Sequence, residues 1–166
     1  MKIIQKILDF SEQILAVVCV ICFAAMFALG VATVFFRFVV ESSLAFPDEL
    51  IRYLFVWVMF LGSAVALRRN AHAAIGIFVD QLPDAARRVA LLTASVASAL
   101  FFVILVLKGG ELTIRVMPQI SPALEVSMAW VYAAVPVGAA FMLVYVVELF
   151  IRQLTAPPSE LVSSGS

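Results

Sequence analysis

Apolar residues along this chain come in long unbroken runs, neither alternating nor confined to one helical face. Residues 14–36 contain no charge and would make a helix of about 35 Å. Residues 48–67 are charged only at their start, in Asp48, Glu49 and Arg52. Residues 89–107 are again uncharged and close to the minimum of about 17 to 20 residues for a crossing. Residues 126–151 carry one acid, Glu148, in the last turn. A lone apolar segment in lipid can satisfy its backbone only as a helix. The pattern therefore predicts an all-α integral membrane protein with spans at about 14–36, 48–67, 89–107 and 126–151, forming a single four-helix membrane domain over 1–152.

The connections add detail. The first outer one, 37–47, is short and pairs the first two helices as an antiparallel hairpin. Within 71–83, Ile75, Phe78, Val79 and Leu82 share one helical face, while His72, Gly76 and Asp80 share the other. Flanked by Arg68, Arg69, Arg87 and Arg88, this stretch suits a short amphipathic helix lying in the interface and ended by Pro83. A surface loop that touches the membrane is the alternative. The second outer connection contains Pro118 and Pro122 and cannot be one helix, although Leu112 and Val116 carry the third helix's periodicity a turn beyond the membrane. Residues 153–166 are polar and Pro-rich and read as a disordered tail; the closing SSGS looks like a linker and is given no role.

Composition fixes the class. With 166 residues, 64% of them hydrophobic, and a formal net charge of zero, the chain could not cover its apolar surface in water. Neither the charge nor any basic run points to nucleic acid. The first run is longer than a signal-peptide core, so a retained helix is expected. Lys2, Lys6, Arg68, Arg69, Arg87, Arg88 and Arg152 fall on one side, against Arg37, Arg52, Lys108 and Arg115 on the other. By the positive-inside bias both termini are cytoplasmic.

Small residues four apart let helices approach closely in lipid. Such rows occur at Ala24, Ala28 and Ala32, at Gly62 and Ala66, at Ala90, Ala94 and Ser98, and at Ala134 and Gly138. They fit either a compact four-helix bundle or helices pressed against a second membrane protein. Pro136 predicts a kink in the fourth helix. No ionisable residue, Asn or Gln lies near the middle of any span, so the chain offers no visible route for a solute. Cys19 and Cys22 lie inside the first span, where apolar surroundings suppress the thiolate, and read as packing residues. With His72 the only histidine, no metal site and no bis-histidine haem is expected. Pro47, Asp48 and Glu49 suit a helix start, with Arg52 one turn on. They make either a self-neutralised helix end or a polar cluster that docks another protein. Trp57 and Trp130 sit several residues inside their spans and suit packing between helices better than anchoring at an interface.

The run DELIRYLFVWVMFLGSAVALRRNAH, followed by VDQLP, resembles the small membrane subunit of tripartite ATP-independent periplasmic (TRAP) transporters. The matching features are Asp48–Glu49, Arg52–Tyr53, Trp57, Phe60–Leu61–Gly62, Arg68, His72 and Leu82–Pro83, with AWVYAAVPVG in the fourth helix. The chain departs from that pattern at Gly76, where an acid is usual, and at Asn70, where glycine is usual.

The resemblance implies a bacterial inner-membrane protein that is not an enzyme and holds no cofactor. Its partners would be the lipid bilayer, a large multi-span subunit that carries the solute and sodium sites and moves as an elevator, and, transiently, a periplasmic binding protein that delivers an organic acid. The small subunit would pack on the large one's static scaffold. Asp48, Glu49 and Arg52 would then position the second helix at the outer face, Trp57 and Trp130 would pack nearby, and Arg68, Arg69 and His72 would fix its inner end. A four-helix thiol redox protein acting through Cys19 and Cys22 is the alternative; a stand-alone small transporter or channel is a third.

Overall fold

A computed structural model describes residues 2–40, 46–69 and 83–155. The helices are α1 (Lys2–Phe38), α2 (Phe46–Arg68), α3 (Asp84–Arg115), a single turn α4 (Ala129–Tyr132) and α5 (Ala134–Thr155). Among the described residues, four stretches are long and apolar enough to cross a membrane: Gln5–Phe38, Phe46–Arg68, Ala86–Arg115 and Ala129–Ile151. The 71–82 part of the expected interfacial helix lies outside the described residues, as do residues 156–166.

The ends of the helices differ from the bare apolar runs. α1 begins at Lys2, because Gln5–Gln13 continues the helix without a Gly or Pro to stop it. α3 starts directly after Pro83 and continues through Lys108 to Arg115. The fourth span starts at Ala129, three residues later than the apolar pattern suggested, and is interrupted at Ala133. Pro136 has no N–H to give the Tyr132 carbonyl, which accounts for the break; Val137 N–H bonds to Ala133 O at 3.1 Å and the helix resumes.

Residues 116–128 fold back as a tight turn. Ile120 bridges to Ser127, Ser121 N–H bonds to Val126 O at 2.9 Å, and Glu125 N–H bonds to Ser121 O at 3.1 Å. Glu125 takes φ 54°, the left-handed conformation that closes the turn. The Ser127 hydroxyl donates to Met117 O at 2.7 Å and accepts from Ala129 N–H at 3.2 Å, at the start of α4.

Packing follows the order α1–α2–α5–α3, so α2 and α5 are central and α1 and α3 flank them. Leu15 of α1, Leu61 and Ala64 of α2, and Met142 and Tyr145 of α5 make the core. The result is an open row whose α1, α2 and α5 are tied by side chains at the end where Arg68 lies, not a uniformly compact bundle. Of the four small-residue rows, that of α5 is used most tightly. A Cβ on Gly138 would lie 2.7 Å from Phe60 Cβ and 3.1 Å from the Phe60 backbone, so α2 and α5 touch there almost backbone to backbone. Ala24 and Ala28 are exposed, and nothing among the described residues lies within 4 Å of a Cβ built on Gly62.

The two glycines therefore predict opposite behaviour. Gly138→Ala forces Phe60 away and should destabilise the protein by about 1–3 kcal/mol, read as a lower unfolding temperature in detergent. Gly62→Ala should leave that temperature unchanged or slightly higher, because it fills open space and favours the helix. Equal losses from both would show that the α2–α5 contact is not where the structure puts it.

Candidate functional site

Polar chemistry is concentrated at the two ends of α2: its first turn, outer in the expected orientation, and its last turn, inner in that orientation. At the outer end the three charged residues separate. Asp48 and Arg52 are exposed, and among the described residues no ion pair joins them. Glu49 is turned inward. Its Oε1 accepts a hydrogen bond from Tyr53 Oη, one helical turn on, and its Oε2 accepts from Ala123 N–H at 2.9 Å and Leu124 N–H at 3.2 Å. Those two amides face back from the tight turn and have no strand ladder to join. Ser121, 1% exposed, adds a hydroxyl that accepts from Leu124 N–H at 3.2 Å. The Tyr53 oxygen also lies 3.2 Å from Met128 Sδ. Glu49 thus latches the 116–128 turn onto the first turn of α2. Of Asp48, Glu49 and Arg52, only Glu49 turns to the part-buried amides of the turn, which need an acceptor, while Asp48 and Arg52 stay exposed.

A second tie lies nearby: Trp57 Nε1–H donates to Trp130 O at 3.0 Å. Trp57 is half-buried at the edge of the core, but the Trp130 side chain is 70% exposed and does not pack between helices. The reason is the later helix start, which puts Trp130 at the outer boundary of its span, where an indole suits the interface.

At the inner end Arg68, with its side chain 8% exposed, gathers three acids from two other helices. It pairs with Asp9 of α1 and Glu148 of α5 and lies 3.8 Å from Glu12. Arg69 Nε is 2.6 Å from Glu12. The Arg68 guanidinium stands 5.2 Å from the centre of the Tyr145 ring, and Tyr145 Oη is 3.0 Å from Ser11 Oγ. Asp9, Glu12, Arg68, Arg69, Tyr145 and Glu148, with two leucines, line a cavity of about 190 Å³. His72 lies outside the described residues. Asp9, Glu12, Ser11 and Tyr145 were missed by pattern reading, which began the first span at residue 14. The available signal was the pair of acids at i and i+3 just before that run, facing the basic end of the next span.

Two further contacts tie α3 to α5: Ser95 Oγ–H donates to Gln153 Oε1 at 2.9 Å, both residues buried, and an Arg88 N–H donates to Leu154 O at 3.3 Å. Among the described residues no group of His, Cys, Asp and Glu could hold a metal ion. Cys19 and Cys22 are free thiols, and Cys19 packs against the core. In the structure these residues hold one part of the chain to another.

Residues 26–156 match the model of the family described as Tripartite ATP-independent periplasmic transporters, DctQ component. The chain belongs to this family. It is a small permease subunit, a component of a transporter and not an enzyme. It is 27% identical over 142 residues to the sialic acid TRAP transporter small permease protein SiaQ of Vibrio cholerae, covering 86% of this chain and 80% of that protein. It is 32% identical over 102 residues to the C4-dicarboxylate TRAP transporter small permease protein DctQ of Rhodobacter capsulatus, covering 60% and 45%. A third relative, the sialic acid TRAP transporter permease protein SiaT of Haemophilus influenzae, is 31% identical over 125 residues, which is 73% of this chain but 20% of that longer protein. The family match includes Glu49, Arg68 and Glu148 of the small permease subunit and begins beyond Asp9 and Glu12.

The two clusters predict distinct losses. Glu49→Ala should speed amide exchange at Ala123 and Leu124 by about tenfold or more, while Asp48→Ala leaves both rates unchanged. Protection that survives in Glu49→Ala would remove the latch. Arg68→Ala removes the cation shared by Asp9, Glu12 and Glu148 and should cost about 2–3 kcal/mol of stability, whereas Asp9→Ala, at an exposed partner, should cost under about 1 kcal/mol. Unfolding in detergent checks the order; an Asp9 effect as large as that of Arg68 would show that the guanidinium is not the centre of the cluster.

Proposed function

We propose that this subunit is a non-catalytic scaffold part of its transporter. It packs on the static portion of a large sodium-coupled elevator subunit and steadies it in the bacterial inner membrane. A periplasmic binding protein, docking transiently, delivers the organic acid that the large subunit imports. Both termini face the cytoplasm, residues 71–83 lie along the inner interface, and the single membrane domain ends near residue 152. Asp48, Glu49, Arg52, Trp57, Arg68, Arg69, His72 and Trp130 serve partner contact or helix positioning.

The observation that carries this reading is where the polar groups are spent. The Glu49, Arg68 and Ser95–Gln153 contacts lie at the ends of the spans and join the chain to itself. The middle of the helix row is aliphatic, aromatic and small, with no ionisable residue to dehydrate or release a solute. Such a chain suits support, with the solute sites in a partner. The relatives' names mention both sialic acid and C4-dicarboxylate, which fits a subunit whose own residues do not choose the solute.

Mild-detergent purification of the tagged chain from native membranes should bring down a much larger multi-span protein in stoichiometric amount. A tag at Met1 or Ser166 should be reached by an impermeant reagent only after sealed cells are opened. Recovery of the chain alone, with its transporter intact in control preparations, would sink the proposal. So would solute flux through vesicles holding this chain by itself.

A further inference from the structure

The charge-free parts of the four long helices do not lie at one level. Take outward as the direction along α2 from Arg68 to Asp48. Asp9 of α1 and Glu148 of α5 both meet Arg68, so these residues mark one level in three helices. The core agrees: Leu15, Leu61 and Met142 pack in one cluster, and each stands about 9–11 Å outward of that level by its count of residues. α3 is placed by α5, since Gly109 faces Val135 and Pro136, and Ser95 bonds to Gln153. Pro136 is about 18 Å outward of Glu148 along α5, and Gln153 about 7 Å inward.

The centres of the apolar runs then step across the row. Residues 14–36 of α1 are centred about 24 Å outward of Arg68, and residues 53–67 of α2 about 12 Å outward. Gly138 of α5 meets Phe60, at the centre of the α2 run. Residues 89–107 of α3 are centred about level with Arg68 itself. From α1 through α2 and α5 to α3 the centre therefore falls by about 24 Å over three helix spacings of about 9 Å each.

An upright row cannot suit both flanks. A hydrocarbon core of about 30 Å beginning at Arg68 would hold Lys108 and Glu111, about 16 and 21 Å outward, with side chains 75% and 52% exposed. Charges open to lipid at that depth are costly. The same core would leave Val34 and Phe35 of α1 and Val89 of α3 in water, each more than half exposed. Sliding the core inward to fit α3 encloses Asp9 and Arg69 instead, both 62% exposed.

We infer that the row stands tilted in its own plane by about 30–40°, its outer ends leaning toward the α1 side. The lean carries α3 outward and α1 inward until all four charge-free runs share one slab. Lys108, Glu111 and Arg115 then stand at the headgroup layer, level with Trp130, whose exposed indole suits that interface. Asp9, Arg69 and Arg88, which lie at different levels along the helices, fall together at the opposite surface. The partner of both charged groups is the layer of lipid phosphates and amines. The inference depends neither on the scaffold reading nor on which surface faces the cytoplasm.

Depth measurement tests it on the full-length chain, with Cys19→Ala and Cys22→Ala as background, in vesicles of phosphatidylethanolamine and phosphatidylglycerol. Single spin labels are placed at Phe23→Cys, Leu100→Cys and Leu112→Cys, all exposed positions. Along the helix axes Phe23 is level with Leu112, whereas Leu100 lies about 17 Å inward of both. In a tilted row Phe23 and Leu100 should both read near the midplane, within about 5 Å of each other, and Leu112 should be about 10 Å or more shallower. Equal depths at Phe23 and Leu112, with Leu100 displaced from both, overturn the inference. Each labelled chain should elute from size exclusion as wild type does. Polarised infrared spectra of the unaltered chain in oriented bilayers give a second reading free of substitutions: a mean helix tilt of about 30–40° is expected, and one under about 20° overturns the inference as well.

Discussion

Lipid offers no hydrogen-bond partner, and that constraint governs every polar group in this subunit. Within the spans the backbone closes on itself as helix, and the side chains that must hydrogen-bond are drawn to the ends, where water or another charged group can reach them. α2 shows the consequence most clearly. Its middle carries no ionisable group, its outer end holds Glu49 against two loop amides, and its inner end holds Arg68 among acids from α1 and α5. Because α2 is central in the row, these two ties also fix most of what lies around it. The outer one settles the connection between α3 and the fourth span; the inner one joins three helices at a point.

Much of this architecture was legible in the amino-acid sequence, for a physical reason. Four runs that exclude charge over a membrane's width leave the backbone no choice but helix, and the mid-helix Pro136 must cost the Tyr132 carbonyl its partner wherever the fold puts it. The ends were less legible because their contacts are long-range. Nothing near Glu49 in sequence shows that it is aimed at Ala123 and Leu124, whereas the local i,i+4 spacing draws attention to an Asp48–Arg52 pair that does not form. Asp9 and Glu12 were passed over for a similar reason: they precede the charge-free run, yet the helix does not stop where the charges begin. The family resemblance pointed to the helix that bears both clusters without showing what its charged residues touch.

Small residues give a sharper version of the same lesson. Periodicity offered four rows of equal standing, but only contact geometry tells which is used. Gly138 meets the Phe60 backbone, and Gly109 lies against Val135 and Pro136, where a Cβ would come within 3.1–3.3 Å. Gly62 meets nothing within 4 Å. In water an exposed apolar helix face would by itself demand a partner. In lipid it does not, since acyl chains are as apolar as leucine, and so the extent of exposure on α1 and α3 carries no argument.

Helix length supplies the last step. The helix Gln5–Phe38 has 34 residues, about 50 Å, but its charge-free part, residues 14–36, is about 35 Å against a hydrocarbon core of about 30 Å. α2, at 23 residues, is also about 35 Å long. Hydrophobic matching therefore sets the depth of α1 only to within about a turn, with Glu12 and Arg37 bounding its apolar run. The ion cluster removes that freedom. Asp9 and Glu12 meet Arg68 and Arg69 at the inner end of α2, and Ser11 meets Tyr145 at the same level, so α1 takes its register from α2. The excess length must then appear as a protruding inner end before Asp9 and as tilt or protrusion at the outer end. In this subunit the apolar run of the long helix sets its depth to within about a turn, and the polar contacts at its end fix where within that turn it stands.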